Sequence, residues 1–203
     1  MALPKINTIL YDLKLPSSGK KVEYRPFLVK EEKILLMALE GKDDREMSRA
    51  IKQIITQCVS TEGFNVNKLP MIDLEYLFLN IRGKAVGDIS TISFEHECGE
   101  IIKLDIDLSK VEVIQDKNYS DLVKLTDNIM IRLSPPGIDN VIGAGDKNQI
   151  DMVMEIIRDS IVEIIQGEDV FSAQDHTREE LEEFLDSLNS GQFKKLQDYY
   201  ESL

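Results

Sequence analysis

Ile92-Ser93-Phe94-Glu95-His96-Glu97-Cys98-Gly99-Glu100-Ile101-Ile102-Lys103-Leu104-Asp105-Ile106-Asp107-Leu108 is the stretch that decides the fold class. Ile92 and Phe94 lead to Cys98-Gly99, and Ile102, Leu104, Ile106 and Leu108 lead away at every second residue. An apolar period of two predicts strands, and a glycine turn between two such runs predicts a β-hairpin. Asp105 and Asp107 fall on the side opposite Leu104 and Ile106, which reads as the wet side of a sheet.

Upstream of this stretch the period is helical. Met47, Ala50, Ile51, Ile54, Ile55 and Cys58 follow i, i+3, i+4, i+7, with Asp43 and Asp44 as N-terminal caps. Val29 to Leu39 makes a shorter helix that Gly41 can end. Leu74, Leu77, Phe78 and Ile81 mark a third, started near Pro70 and stopped near Gly87. Further back, Ile9, Tyr11, Leu13 and Leu15 alternate, and Val22 and Tyr24 alternate again after Pro16-Ser17-Ser18-Gly19. This predicts an N-terminal β-hairpin, ended by Pro26, which cannot donate to a ladder.

Downstream, Val111 and Val113, then Ile129, Ile131 and Leu133, suggest two more strands, closed by Pro135-Pro136-Gly137. Ile150 to Ile165 reads as a helix that is apolar on more than one side, with Ile150, Val153, Met154, Ile157, Ile161 and Ile164 on one stripe and Met152, Ile156 and Val162 off it. Two amphipathic helices follow. One runs from about Thr177 through Leu181, Phe184, Leu185 and Leu188. The other carries Phe193, Leu196, Tyr199, Tyr200 and Leu203, with Ser190 as a cap. The expected architecture is α+β: an N-terminal β-hairpin, helices and a small antiparallel sheet, followed by a helical C-terminal unit. The composition break at Pro135 to Asp146 places the boundary between a mixed body, residues 1–137, and the helical unit, residues 138–203.

A chain of 203 residues with 42% hydrophobic and 30% charged residues can build one large core or two small ones. Its formal net charge of −13 disfavours a nucleic-acid partner, which needs clustered Lys and Arg, and an anionic membrane surface. No apolar run reaches the ~20 residues of a membrane span. Met1-Ala2-Leu3-Pro4-Lys5 does not read as a secretory signal. Cys58 and Cys98 form no disulfide framework, so a reducing cytoplasm is the expected compartment.

Reactive constellations are sparse. His96 and Cys98 could ligate a metal at the hairpin turn, but structural zinc wants four ligands in close pairs, and only Cys58 and His176 remain. Cys58 lies on the apolar stripe of its helix and reads as a buried thiol. Gly143-Ala144-Gly145 lacks the third glycine of a dinucleotide loop, and Ser17-Ser18-Gly19-Lys20 lacks P-loop spacing. Glu179, Glu180, Glu182 and Glu183 sit at a helix N-terminus, where the macrodipole favours them. The expectation is therefore no enzyme, no cofactor and no metal. The apolar surplus points instead to protein contacts. Val22 and Tyr24 offer an edge for strand addition, and Phe193, Leu196, Tyr199 and Tyr200 offer anchors for a partner. On that expectation, replacing Tyr199 and Tyr200 by alanine weakens partner binding and leaves the monomer stable.

Three segments resemble the baseplate hub protein family of T4-like tailed bacteriophages, its hub subunit or hub assembly protein. They are Leu15-Pro16-Ser17-Ser18-Gly19-Lys20 through Lys33-Ile34-Leu35-Leu36-Met37-Ala38; Lys68-Leu69-Pro70 with Asp73-Leu74-Glu75-Tyr76-Leu77-Phe78-Leu79 and Arg82-Gly83-Lys84-Ala85-Val86-Gly87; and Glu180-Leu181-Glu182-Glu183-Phe184-Leu185-Asp186-Ser187-Leu188 with Gln192-Phe193. The resemblance implies a virion-morphogenesis role at the centre of a contractile-tail baseplate, in the host cytoplasm during assembly or in the virion tail. It implies other hub or tail proteins as partners and transfers no catalytic residue. A transient chaperone for a tape-measure or hub protein is the first alternative. A small metal-dependent enzyme built on His96, Cys98 and acidic residues is the second.

Overall fold

The structure, a computed structural model, describes residues 7–96, 98–114, 119–142 and 149–202. The chain divides into two compact units, Met1–Val113 and Ile114–Leu203. The fold is α+β, with antiparallel sheets of two, two and four strands among the described residues.

The first unit opens with β1 (Tyr11–Lys14) and β2 (Lys21–Tyr24), paired with Leu13 opposite Val22 and Tyr11 opposite Tyr24. The alternation of β2 is read out directly: Val22 and Tyr24 are buried, Lys21 and Glu23 exposed. The connecting loop is pinned by Asp73, a buried carboxylate that accepts from the Ser17 backbone N–H at 2.8 Å and the Ser17 hydroxyl at 2.5 Å. Helix α1 spans Val29–Gly41, α2 Asp44–Cys58 and α3 Met71–Val86. Asp43 caps α2 by accepting from the Arg45 N–H, and Ala50, Ile54, Ile55 and Cys58 are buried on its inner side. Lys42 ends α1 in the left-handed region at φ 52°, so the residue after Gly41 does what Gly41 was expected to do. Glu31 of α1 is buried and held by Arg25, whose guanidinium donates to it at 2.8 Å, and by the Leu28 N–H at 2.8 Å. After α3, Gly87 at φ 122° turns the chain into β3 (Ile89–Glu95) and β4 (Ile101–Asp107), a separate two-stranded ribbon. Val111 and Val113 form no strand.

The second unit contains β5 (Leu122–Lys124), β6 (Ile129–Leu133), α4 (Ile138–Ile142), α5 (Gln149–Ser160), β7 (Ile161–Gln166), β8 (Asp169–Ser172), α6 (Arg178–Asp186) and α7 (Ser190–Glu201). The four strands form one antiparallel sheet in sequence order. Two expectations are corrected here. The run from Ile150 to Ile165 is a helix only to Ser160; Ile161-Val162-Glu163-Ile164-Ile165 is a strand inside the sheet. Its β-branched density suits a pleated surface, and its apolarity on two sides comes from a change of element, not from a helix buried all round. The unit is accordingly not all-helical. Because β6 pairs with β7, residues 129–133 share a sheet with the strands that follow them, within the unit Ile114–Leu203.

Candidate functional site

The structure places most of the six expected partner anchors inside their own units. Val22 and Tyr24 are core residues, and the free edge of β2 is taken: Ser60 N–H donates to Glu23 O and Arg25 N–H to Cys58 O, both at 2.9 Å. Strand addition there has no open ladder to join. In the second unit, Leu196 and Tyr199 belong to a cluster with Leu125, Ile131, Leu133, Ile157, Ile161 and Leu185. Phe193 and Tyr200 are half-buried against it. The Tyr199 ring lies 5.9 Å from that of Tyr119 and meets Tyr200 edge-on at 5.0 Å. Burial pushes the Tyr200 hydroxyl up to about 12, and burial, with the Tyr119 hydroxyl beside it, pushes Tyr199 up as well. The apolar stripe of α7 is the side packed on the sheet, so its aromatic content fills the core.

One uncovered apolar row lies in the first unit, on the ribbon. Paired residues across an antiparallel ladder share a side, so the register Ile92 opposite Leu104, Phe94 opposite Ile102 and Ser90 opposite Ile106 lines up one face. On it Ile92 is 40%, Phe94 53%, Ile102 52% and Leu104 52% exposed. The other face carries Thr91 opposite Asp105, joined by a 2.6 Å hydroxyl-to-carboxylate bond, Ser93 opposite Lys103, and at its two ends Ile89 opposite Asp107 and Ile101 opposite Glu95, the isoleucines 57% and 64% exposed. At its base the ribbon is tied by the Leu108 N–H, which donates to Asp88 O at 2.7 Å. At its tip Gly99 takes φ 84° in the turn. The alternation in 92–108 was thus legible, but its apolar side is not a core side. Helix α1 adds to the same unit: Val29, Leu36, Met37 and Leu39 stand exposed while Ala38 and Glu31 face inward. No residue pattern marks which side of an amphipathic element will be left bare. The one available signal was that 92–108 has a single hairpin partner within reach, and two strands alone rarely cover a face.

Chemistry-bearing groups are engaged elsewhere. His96 Nδ1 and Cys98 Sγ sit 3.0 Å apart at the exposed tip. Among the described residues no group of three or more His, Cys, Asp and Glu is placed to hold a metal ion. Cys58 is buried, and burial pushes its thiol up to about 11, away from thiolate character. Arg158, itself buried, is wrapped by Glu155, Asp159 and Glu182 from α5 and α6. A cleft beside the first hairpin is lined by Ser17, Ser18, Lys20, Lys68 and Asp73, but Asp73 is committed to Ser17. Gly143-Ala144-Gly145 and Leu203 lie outside the described residues.

No helix among the described residues is long and apolar enough to cross a membrane. Neither the curated proteins nor the solved structures contain a match to the chain. The family model described as T4 bacteriophage base plate protein matches residues 7–203, nearly the whole chain, and the chain belongs to that family.

Proposed function

We propose that this baseplate protein is a component of the central hub of a contractile phage tail, and that it works by protein–protein recognition during tail morphogenesis, without catalysis. The reading is carried by the bare apolar face of the β3–β4 ribbon. A folded chain whose carboxylates outnumber its cations leaves half of Phe94, Ile102 and Leu104 in water, and contiguous exposed apolar surface on a monomer marks a place for another protein. The hub assignment, finer than family membership, is supported by the three segments that resemble hub proteins. The pairs and clusters of ionisable groups described above have structural partners, which supports a non-enzymatic role.

Quantitative mass spectrometry of purified tails, isolated baseplates and hub intermediates tests this. The chain is expected at fixed stoichiometry in intermediates and in finished hubs. Presence in intermediates and absence from every finished particle replaces the hub reading by that of a transient chaperone. Co-purification with peripheral wedges alone refutes the hub.

A further inference from the structure

The β3–β4 ribbon has one apolar side and one mixed side that carries carboxylates, and we propose that it is an arm received by a cleft in another baseplate subunit, one wall of that cleft apolar and the other carrying Lys and Arg. The proposal rests on the baseplate reading above and deepens it.

The apolar side is the row Ile92, Phe94, Ile102 and Leu104, each about half exposed. With roughly 200 Å² to an aromatic side chain and somewhat less to an aliphatic one, the row offers on the order of 400 Å², the size of the largest patch on an ordinary monomer. The other side mixes exposed Ile89 and Ile101 and Lys103 with Glu95, Asp105 and Asp107, and the segment as a whole is acidic. Residues 88–110 hold six carboxylates against two lysines. Lys110 is already paired with Asp107 at 3.0 Å, and Asp88 with Lys84 at 3.4 Å. Glu95, Glu100 and Asp105 remain exposed with no ion pair among the described residues, Asp105 holding only the Thr91 hydroxyl. An occupant that covers the hydrophobic row alone leaves these charges unanswered, whereas a cleft closing on both sides meets both.

A second copy of the chain fits poorly on two counts. Two ribbons packed face to face bury about 800 Å² in total, short of the ~1,000 Å² that a specific interface needs. They would also bring together two chains of net charge −13, and like charges at an interface suppress that pairing. Nor is the ribbon self-sufficient. A two-stranded hairpin with no covering element is marginal in water, and this one is held at its base by the Leu108–Asp88 bond.

The test uses the full chain and each of the other baseplate subunits of the same phage, purified singly, in biolayer interferometry at 50 and 300 mM NaCl. Three forms are compared: the wild type, Phe94→Ser with Ile102→Ser, and Glu95→Lys with Glu100→Lys. One subunit is expected to bind the wild type and to weaken at high salt. The serine variant should lose at least tenfold in affinity with its melting temperature unchanged. The lysine variant should lose affinity at 50 mM and show a flattened salt response. Equal binding by wild type and serine variant overturns the arm and leaves the baseplate reading standing. A wild-type dimer in light scattering that the serine variant abolishes makes a second copy the occupant and overturns it. A large fall in the serine variant's melting temperature shows that its own chain covers the face, and overturns it too. Binding by no baseplate subunit refutes the arm and the reading beneath it together.

Discussion

Tyr199→Ala separates a core tyrosine from a docking tyrosine. Tyr199 is 4% exposed, sits in the cluster of the second unit and touches two other aromatic rings. Truncating a buried aromatic side chain to alanine costs about 3–5 kcal/mol, through lost transfer energy and the cavity left behind. The edge-on contact with Tyr200 is part of that loss, so about 4 kcal/mol is expected. The unit Ile114–Leu203 has about 90 residues, and for such a unit each 1 kcal/mol moves the melting temperature by about 4–8 °C. The variant should therefore melt at least 15 °C lower, or be unfolded at room temperature, since domains of this size hold only ~5–15 kcal/mol. Tyr199→Phe is the control. It keeps the ring and gives up only the long 3.4 Å contact between the Tyr199 and Tyr119 hydroxyls, worth about 1 kcal/mol at most. The chain has no tryptophan, so urea unfolding is followed by far-ultraviolet circular dichroism. A Tyr199→Ala variant within 1 kcal/mol of wild type refutes the core assignment. If it also lost partner binding, the tyrosine would be a surface anchor after all.

Glu31 makes the first unit sensitive to acid. Burial raises its pKa, but the Arg25 guanidinium and the Leu28 N–H together hold it below the ordinary 4.5. A depressed carboxylate stabilises fully above its unfolded value and loses that contribution as pH falls through its folded one. Wild type should lose stability in chemical denaturation between pH 5 and pH 3, whereas Glu31→Gln should start lower and change less across that window; parallel pH curves would contradict this. For the thiols, Ellman's reagent at pH 8 should titrate one rapidly in the native chain, at exposed Cys98, and a second only after denaturation, since Cys58 is buried with its thiol pushed up to about 11. Two fast thiols would show that the inner side of α2 opens readily. Lys42→Gly should stabilise by about 1 kcal/mol, because Lys42 holds φ 52° at the end of α1, a conformation that costs a side-chain-bearing residue ~1–2 kcal/mol. No change in the denaturation midpoint would mean that the Lys42 side chain contributes there.

Local physics was legible where one period and its stop signals agreed. In α2 the spacing of Met47 to Cys58 and the cap at Asp43 fixed both the element and its buried side. Thr177 and Glu180 likewise announce α6 by a reciprocal capping box. The cap of α7 lies one residue before the expected one, at Asn189, and Ser190 is the first helical residue. The reading failed where an apolar run satisfies two periods at once. Ile157 and Ile161 are four apart, as on a helix, yet one lies in α5 and the other begins β7. Only pairing with Ile129–Leu133 and Asp169–Ser172 decides between them, and pairing is non-local. The site failed for a related reason. Phe94 and Leu196 are equally apolar members of amphipathic patterns, yet one is half exposed and the other fully buried. Whether a hydrophobic side is covered depends on what the rest of the chain can bring to it.

The two units differ in how completely they bury their own hydrophobic sides. The second closes a four-stranded sheet with α5, α6 and α7 and packs Tyr119, Phe184, Phe193, Tyr199 and Tyr200 into or against its core, while Phe171 of β8 stays 40% exposed. The first buries one side of the β1–β2 hairpin and the inner sides of its helices, then extends a ribbon whose apolar side no element among the described residues covers. Exposed apolar rows and open strand edges are aggregation hazards, which proteins blunt with charge. Here the carboxylates on the ribbon's other side and tip, within a chain of net charge −13, supply repulsion between copies while leaving the hydrophobic row free. On the arm proposal, the charges that disfavour a second copy also favour a cationic partner. Solubility before assembly and selectivity during it would then come from one distribution of residues in a member of the base plate protein family.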